Sequence, residues 1–79
     1  MSYTVISRPN CSWCDKAMDL LYEVGIDYEK VDIYDEPWVR TLLLQTELTT
    51  VPQVFDHNGF LIGGYEELAK HINDIDIYQ

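Results

Sequence analysis

The 79-residue chain is poor in basic residues: five Lys and Arg stand against fourteen Asp and Glu, for a net charge of −9. Phosphate binding needs clustered Lys and Arg, so this balance argues against nucleic acid as a partner. Its plain consequence is solubility; a sharper one is steering toward a basic patch on a protein partner. Long apolar runs are missing too, and none approaches the ~20 residues a membrane helix needs. The opening Met1-Ser2-Tyr3-Thr4-Val5 lacks the basic region and apolar stretch of a secretory signal. These absences predict a soluble, cytoplasmic protein with no membrane partner. Cysteine is scarce as well, with only Cys11 and Cys14. A bridge across three positions removes little unfolded-state entropy and is a poor staple. In a reducing compartment such a pair suggests metal binding or redox catalysis.

What the chain does have is 47% hydrophobic and 13% aromatic residues, enough for one core. The length fits a single domain spanning 1–79, expected to be a monomer. Residues 3–7 are β-prone, and Arg8-Pro9-Asn10 is a turn. A helix then starts near Cys11 or Ser12, with Cys14, Ala17, Met18, Leu21 and Val24 on one face and Gly25 at its end. Tyr28 to Ile33 reads as a second strand. Asp35-Glu36-Pro37 opens a second helix whose apolar face is Trp38, Val39, Leu42 and Leu43. Thr49-Thr50-Val51-Pro52 breaks the pattern before a third strand, Gln53 to Asp56. His57-Asn58-Gly59 is a hairpin turn in which Asn-Gly supplies positive φ. Phe60 to Ile62 is a fourth strand, Gly63-Gly64 a tight turn, and Tyr65 to about Asn73 a third helix with Leu68, Ala69 and Ile72 inward. The order βαβαββα implies a right-handed crossover with the first two strands parallel and the last two antiparallel.

Cys11 and Cys14 bracket a helix start directly after a strand. Free N–H groups and the helix dipole favour an anion there, and a thiolate is such an anion, so the Cys11 thiol is expected to ionise more easily than usual. Arg8 and Lys16 favour the same charge and Asp15 opposes it. Dithiol exchange needs an exposed attacking sulfur and a second one that resolves the mixed disulfide. Helix geometry gives the first role to Cys11, at the exposed tip, and the second to Cys14, one turn on and facing inward. Trp13 would flank the site as an apolar wall.

The same pair is also half of many zinc sites. A closed zinc site wants four ligands, and the remaining soft ligands, His57 and His71, have thirteen residues between them rather than forming a short-spaced second pair. No metal is expected. Thr50-Val51-Pro52 reads as a strand entry, or, were Val51–Pro52 cis, as an outward backbone ready to pair with an extended peptide. Gly63-Gly64-Tyr65-Glu66 reads as a simple turn or as a helix start that holds a small carboxylate.

Taken together, Arg8, Cys11-Ser12-Trp13-Cys14, Thr50-Val51-Pro52 and Gly63-Gly64 with Glu66 resemble the glutaredoxin family in order and spacing, over essentially the whole chain. The length is similar to that of glutaredoxins of bacteria and their phages. The resemblance implies a thioredoxin-like fold, with a four-stranded mixed sheet flanked by three helices. It implies a cis Val51–Pro52 bond and glutathione as reductant. Arg8 would then meet the glycine carboxylate of glutathione, Trp13 would line the groove, and in the binding loop Thr50-Val51-Pro52 the backbone of Val51 would pair with the cysteinyl part. Gly64 and the N–H groups of Tyr65 and Glu66 would hold the γ-glutamyl end, and Arg40 is the basic candidate on the second helix. Ser12 and Trp13 depart from the family's usual proline and tyrosine, and Glu66 is one methylene longer than its common aspartate. The implied activity is glutathione-dependent reduction of protein disulfides and glutathione mixed disulfides, feeding partners such as ribonucleotide reductase. Two other readings are a redoxin served by thioredoxin reductase and a module that holds an iron–sulfur cluster through glutathione.

Overall fold

Alternation along Tyr3–Ser7, the first strand (β1), sends side chains to two cores on opposite faces of one sheet. Tyr3 and Val5 join Val54, and onto this face pack Ala17 and Leu21 of α1 (Ser12–Glu23) with Leu68 and Ile72 of α3 (Tyr65–Asp76). Ile6 points the other way, against Val39 and Leu43 of α2 (Pro37–Gln45). In this computed structural model residues 2–47 and 50–76 are described; Thr49 of the expected break and the end of the tail, 77–79, lie outside them.

The remaining strands are β2 (Tyr28–Asp32), β3 (Gln53–Phe55) and β4 (Leu61–Gly63), in the sheet order β2-β1-β3-β4. β1 and β2 run parallel, from Tyr3↔Tyr28 to Ser7↔Asp32. β3 is antiparallel to both β1 and β4, with Val5 opposite Val54 and an irregularity at Val54/Phe55. This is the βαβαββα order and strand sense expected from the sequence. α1 ends where Gly25 takes φ +78 and the N–H groups of Gly25 and Ile26 return to the carbonyls of Tyr22 and Leu21. That is the capping pattern a glycine after a helix makes possible.

Several expectations are corrected. Val24 caps α1 and is exposed rather than inward. On α2 only Val39 and Leu43 are buried, while Trp38 is 63% and Leu42 45% exposed. A nine-residue helix lying on one sheet face covers a single stripe, so the two flanking apolar positions stay open. β2 stops at Asp32: the Ile33 N–H still reaches the Ser7 carbonyl at 3.0 Å, but Asp32 Oδ1 accepts from the Tyr34 N–H at 2.8 Å and turns the chain there. β4 begins at Leu61 instead of Phe60 and includes Gly63, and α3 continues three residues past Asn73 to Asp76. Ala69 is half-buried.

In the hairpin only Gly59 has positive φ. Asp56 organises the rest, its Oδ1 accepting from the N–H groups of Phe60 (3.0 Å) and Asn58 (2.9 Å). These bonds, the one from Phe60 first, hold its carboxyl below the ordinary 3.8. A depressed carboxyl stabilises the fold above its unfolded value, and that contribution disappears as pH falls through the lower folded value. Amide exchange at Asn58 and Phe60 is therefore expected to be pH-insensitive, beyond intrinsic chemistry, above about pH 5 and to accelerate below about pH 4. An Asp56→Asn variant should lack that acid step.

Candidate active site

The turn after β1 places Asn10 at φ +58, and the chain then enters α1 with Cys11 as its N-cap in extended backbone. Cys11 Sγ takes the capping role normally filled by a side-chain oxygen, accepting the Cys14 N–H at 3.2 Å. The Cys11 carbonyl accepts the Asp15 N–H at 3.1 Å. The two cysteines are joined as a disulfide, with Cα atoms 5.2 Å apart. Cys11 is 6% exposed and Cys14 1%. Cys11 is thus less open than the exposed tip expected from sequence. Its sulfur lies against the Val51 carbonyl, at 4.0 Å, and that loop covers it.

Val51–Pro52 is cis. On one side of this loop a cleft of about 180 Å³ is bounded by Trp13, Pro52, Gly64, Tyr65, Glu66 and Glu67. On the other side a recess of about 390 Å³ is bounded by Arg8, Ile33, Arg40, Leu43 and Leu44. Thr50 and Val51 line both, and the Cys11 sulfur lies against the carbonyl of this shared wall. Arg8, Trp13, Arg40, Thr50, Val51, Pro52, Gly64, Tyr65 and Glu66 therefore line two recesses that share the Thr50-Val51 wall, with the two arginines at one end and the start of α3 at the other.

The Trp13 indole is half exposed, tilted at 47° to the Tyr65 ring with centroids 5.5 Å apart. Lys16 Nζ lies 4.4 Å from its centroid, a cation–π contact that holds the ring over the cleft. Lys16, expected from the sequence to favour charge on the Cys11 sulfur, has Trp13 as its observed partner. At α3 the first helical bond runs from the Leu68 N–H to the Gly64 carbonyl. The N–H groups of Tyr65, Glu66 and Glu67 precede it and have no partner within the helix.

Glu67 is the residue the sequence reading missed. It lines the cleft beside Glu66, and its Cβ and Cγ lie over Gly63, 2.9 Å from where a Cβ there would stand. Its place three residues after Gly64, where a capping-box glutamate folds back over a helix start, was the available signal. Gly63 itself has φ +125. Gly63→Ala is expected to destabilise the protein by about 1–3 kcal/mol, read from the denaturant midpoint, because the backbone is strained and Glu67 must move.

His57 and His71 do not approach the cysteines. Both flank Tyr3 at the opposite end of β1, with ring centroids 6.1 Å away, and the Tyr3 hydroxyl pairs with His71 Nε2 at 3.0 Å. Burial first, and then the Asp56 charge, raise the Tyr3 hydroxyl above its usual value.

Comparison with known proteins agrees with this arrangement. The glutaredoxin family profile matches residues 3–62. The hybrid peroxiredoxin hyPrx5 of Haemophilus influenzae is 33% identical over 70 residues, covering 89% of this chain and 29% of that protein. The chain spans less than half the length of the first curated relatives it matches. Reduced Escherichia coli glutaredoxin superposes with a TM-score of 0.76 at 29% identity, covering 94% of this chain and 95% of that one. The buckwheat glutaredoxin–glutathione complex gives 0.78 at 28% identity, covering 91% of this chain and 68% of that one. The fold is thioredoxin-like, and the chain, which carries a Cys-x-x-Cys pair, belongs to the glutaredoxin family.

Proposed function

We propose that this protein is a dithiol glutaredoxin that uses glutathione to reduce protein disulfides and glutathione mixed disulfides in the cytoplasm, with ribonucleotide reductase among its electron acceptors. The observation that carries this reading is the groove itself: a redox-active sulfur between two arginines and the start of α3. Glutathione has the matching charges, a carboxylate at its glycine end and a carboxylate with an ammonium at its γ-glutamyl end. Arg8 and Arg40 suit the first as charge-assisted donors. The unpaired N–H groups of Tyr65 and Glu66 suit the γ-glutamyl carboxylate, and Glu66 and Glu67 suit its ammonium. Thr50, Val51 and Pro52 supply the wall for the cysteinyl part, opposite Trp13. The glutathione complex of the buckwheat relative supports the same reading.

The chemistry follows from the cap. Once the disulfide opens, the Cys14 N–H favours negative charge on Cys11 Sγ. That thiolate attacks the glutathione sulfur of a protein–glutathione mixed disulfide, forming a Cys11–glutathione disulfide and releasing the protein thiolate. A second glutathione then attacks, giving glutathione disulfide and free Cys11. In the dithiol route Cys14 attacks instead, releasing glutathione and closing the Cys11–Cys14 bond, which two further glutathiones reopen.

Loading Cys14→Ser with isotope-labelled glutathione on Cys11 tests the groove. The reading predicts nuclear Overhauser contacts from the glycine end to Arg8 or Arg40 and from the γ-glutamyl end to Tyr65 or Glu66. A tethered tripeptide that contacts neither end would contradict it.

A further inference from the structure

Ser7 ends β1 with no exposed surface, and its Oγ is buried without a hydrogen-bond partner among the described residues. A buried hydroxyl left unpaired is disfavoured, and alanine would fill the same space without that disadvantage. Strand alternation gives its direction. Tyr3 and Val5 share its face and pack against Ala17 and Leu21 of α1. Between parallel β1 and β2, α1 returns antiparallel to β1, after the short connection 8–11. The step from Val5 to Ser7 advances about 6.6 Å along the strand. The step from Ala17 back to Cys14 advances about 4.5 Å along the helix. Ser7 therefore stands at the level of Cys14, which is buried on the α1 face that carries Ala17 and Leu21.

We propose that Ser7 is a positioning residue for the resolving cysteine: its hydroxyl donates a hydrogen bond to Cys14 Sγ in the reduced protein and has no acceptor in the oxidised one. Reduction breaks the Cys11–Cys14 bond and adds two electrons and two protons, supplied by a dithiol that closes to its own disulfide. The sulfur freed at Cys14 is a better acceptor than a disulfide sulfur. The hydroxyl thus stabilises the reduced state and holds Cys14 Sγ at a defined place for its attack on the mixed disulfide. The inference rests on the dithiol chemistry proposed above but not on the glutathione groove. A potential measured against dithiothreitol separates the two, since no tripeptide takes part.

The experiment is that redox titration on wild type, Ser7→Ala and Ser7→Thr. Ser7→Ala is expected to favour the disulfide about tenfold in the exchange constant, which lowers the potential by about 30 mV. Ser7→Thr keeps a hydroxyl on a β-compatible side chain and is expected to stay within about twofold of wild type. Ser7→Ala adds no atoms, so its oxidised form should resist denaturant at least as well as wild type. In a Cys11→Ser background, the ultraviolet titration of the Cys14 thiolate should move to higher pH when Ser7 becomes Ala, a change that mere packing would not produce. An exchange constant within twofold of wild type in Ser7→Ala, or a Cys14 titration that does not move, would overturn the proposal.

Discussion

Cys11→Ser is expected to reduce turnover by at least about 10³-fold, to the level of the uncatalysed exchange, while leaving the fold intact. The loss follows from the atom removed. Thiol–disulfide exchange needs a thiolate nucleophile, and a serine hydroxyl stays protonated at neutral pH. The cap can survive, because a serine oxygen accepts the Cys14 N–H as well as a sulfur does. Circular dichroism should be unchanged. Cys14→Ser should behave differently, retaining measurable turnover of small glutathione mixed disulfides, since glutathione itself can resolve the Cys11 intermediate. A Cys11→Ser protein with more activity than Cys14→Ser would reverse the two roles. Burial at 1% against 6% favours Cys14 as the partner kept from solvent.

The double charge reversal Arg8→Glu with Arg40→Glu should lower kcat/KM for a glutathionylated substrate by roughly 10–100-fold. Hydrogen bonds to charged groups contribute about 1.5–3 kcal/mol, but both arginines are exposed, which reduces each to about 1 kcal/mol. Two such losses, at about 1.4 kcal/mol per tenfold, give that range. Salt discriminates this account from a folding defect. The gap between variant and wild type should narrow as ionic strength rises and the Debye length shortens. Reduction of the Cys11–Cys14 bond by dithiothreitol, which has no carboxylate, should not slow. A variant that lost both reactions equally would show that the arginines shape the loop rather than bind the substrate.

The paired cysteines and the strand-to-helix step around them were legible because everything they need is local: a β-prone run, a turn with Pro9 and Asn10, and a periodic helix. The ordered set from Arg8 to Glu66 was legible through its spacing, and the groove gathers those residues from four separate segments. Periodicity failed on α2, where Trp38, Val39, Leu42 and Leu43 are equally apolar. Which two of them meet the sheet depends on how the helix lies across Ile6, a long-range fact. Glu67 carries no family signal of its own, and its place at the cleft depends on the backbone at Gly63, over which its Cβ and Cγ lie. Likewise, the meeting of His57 and His71 at Tyr3 joins residues far apart in the chain, which spacing cannot reveal.

The most direct measurement is turnover of one glutathionylated substrate with NADPH and either of two electron sources, glutathione with glutathione reductase or thioredoxin reductase alone. The account predicts rapid NADPH oxidation with the first, abolished in Cys11→Ser, and none above background with the second. Turnover supported by thioredoxin reductase and not by glutathione would contradict it, and would make the Gly63-Gly64 segment a plain turn between β4 and α3.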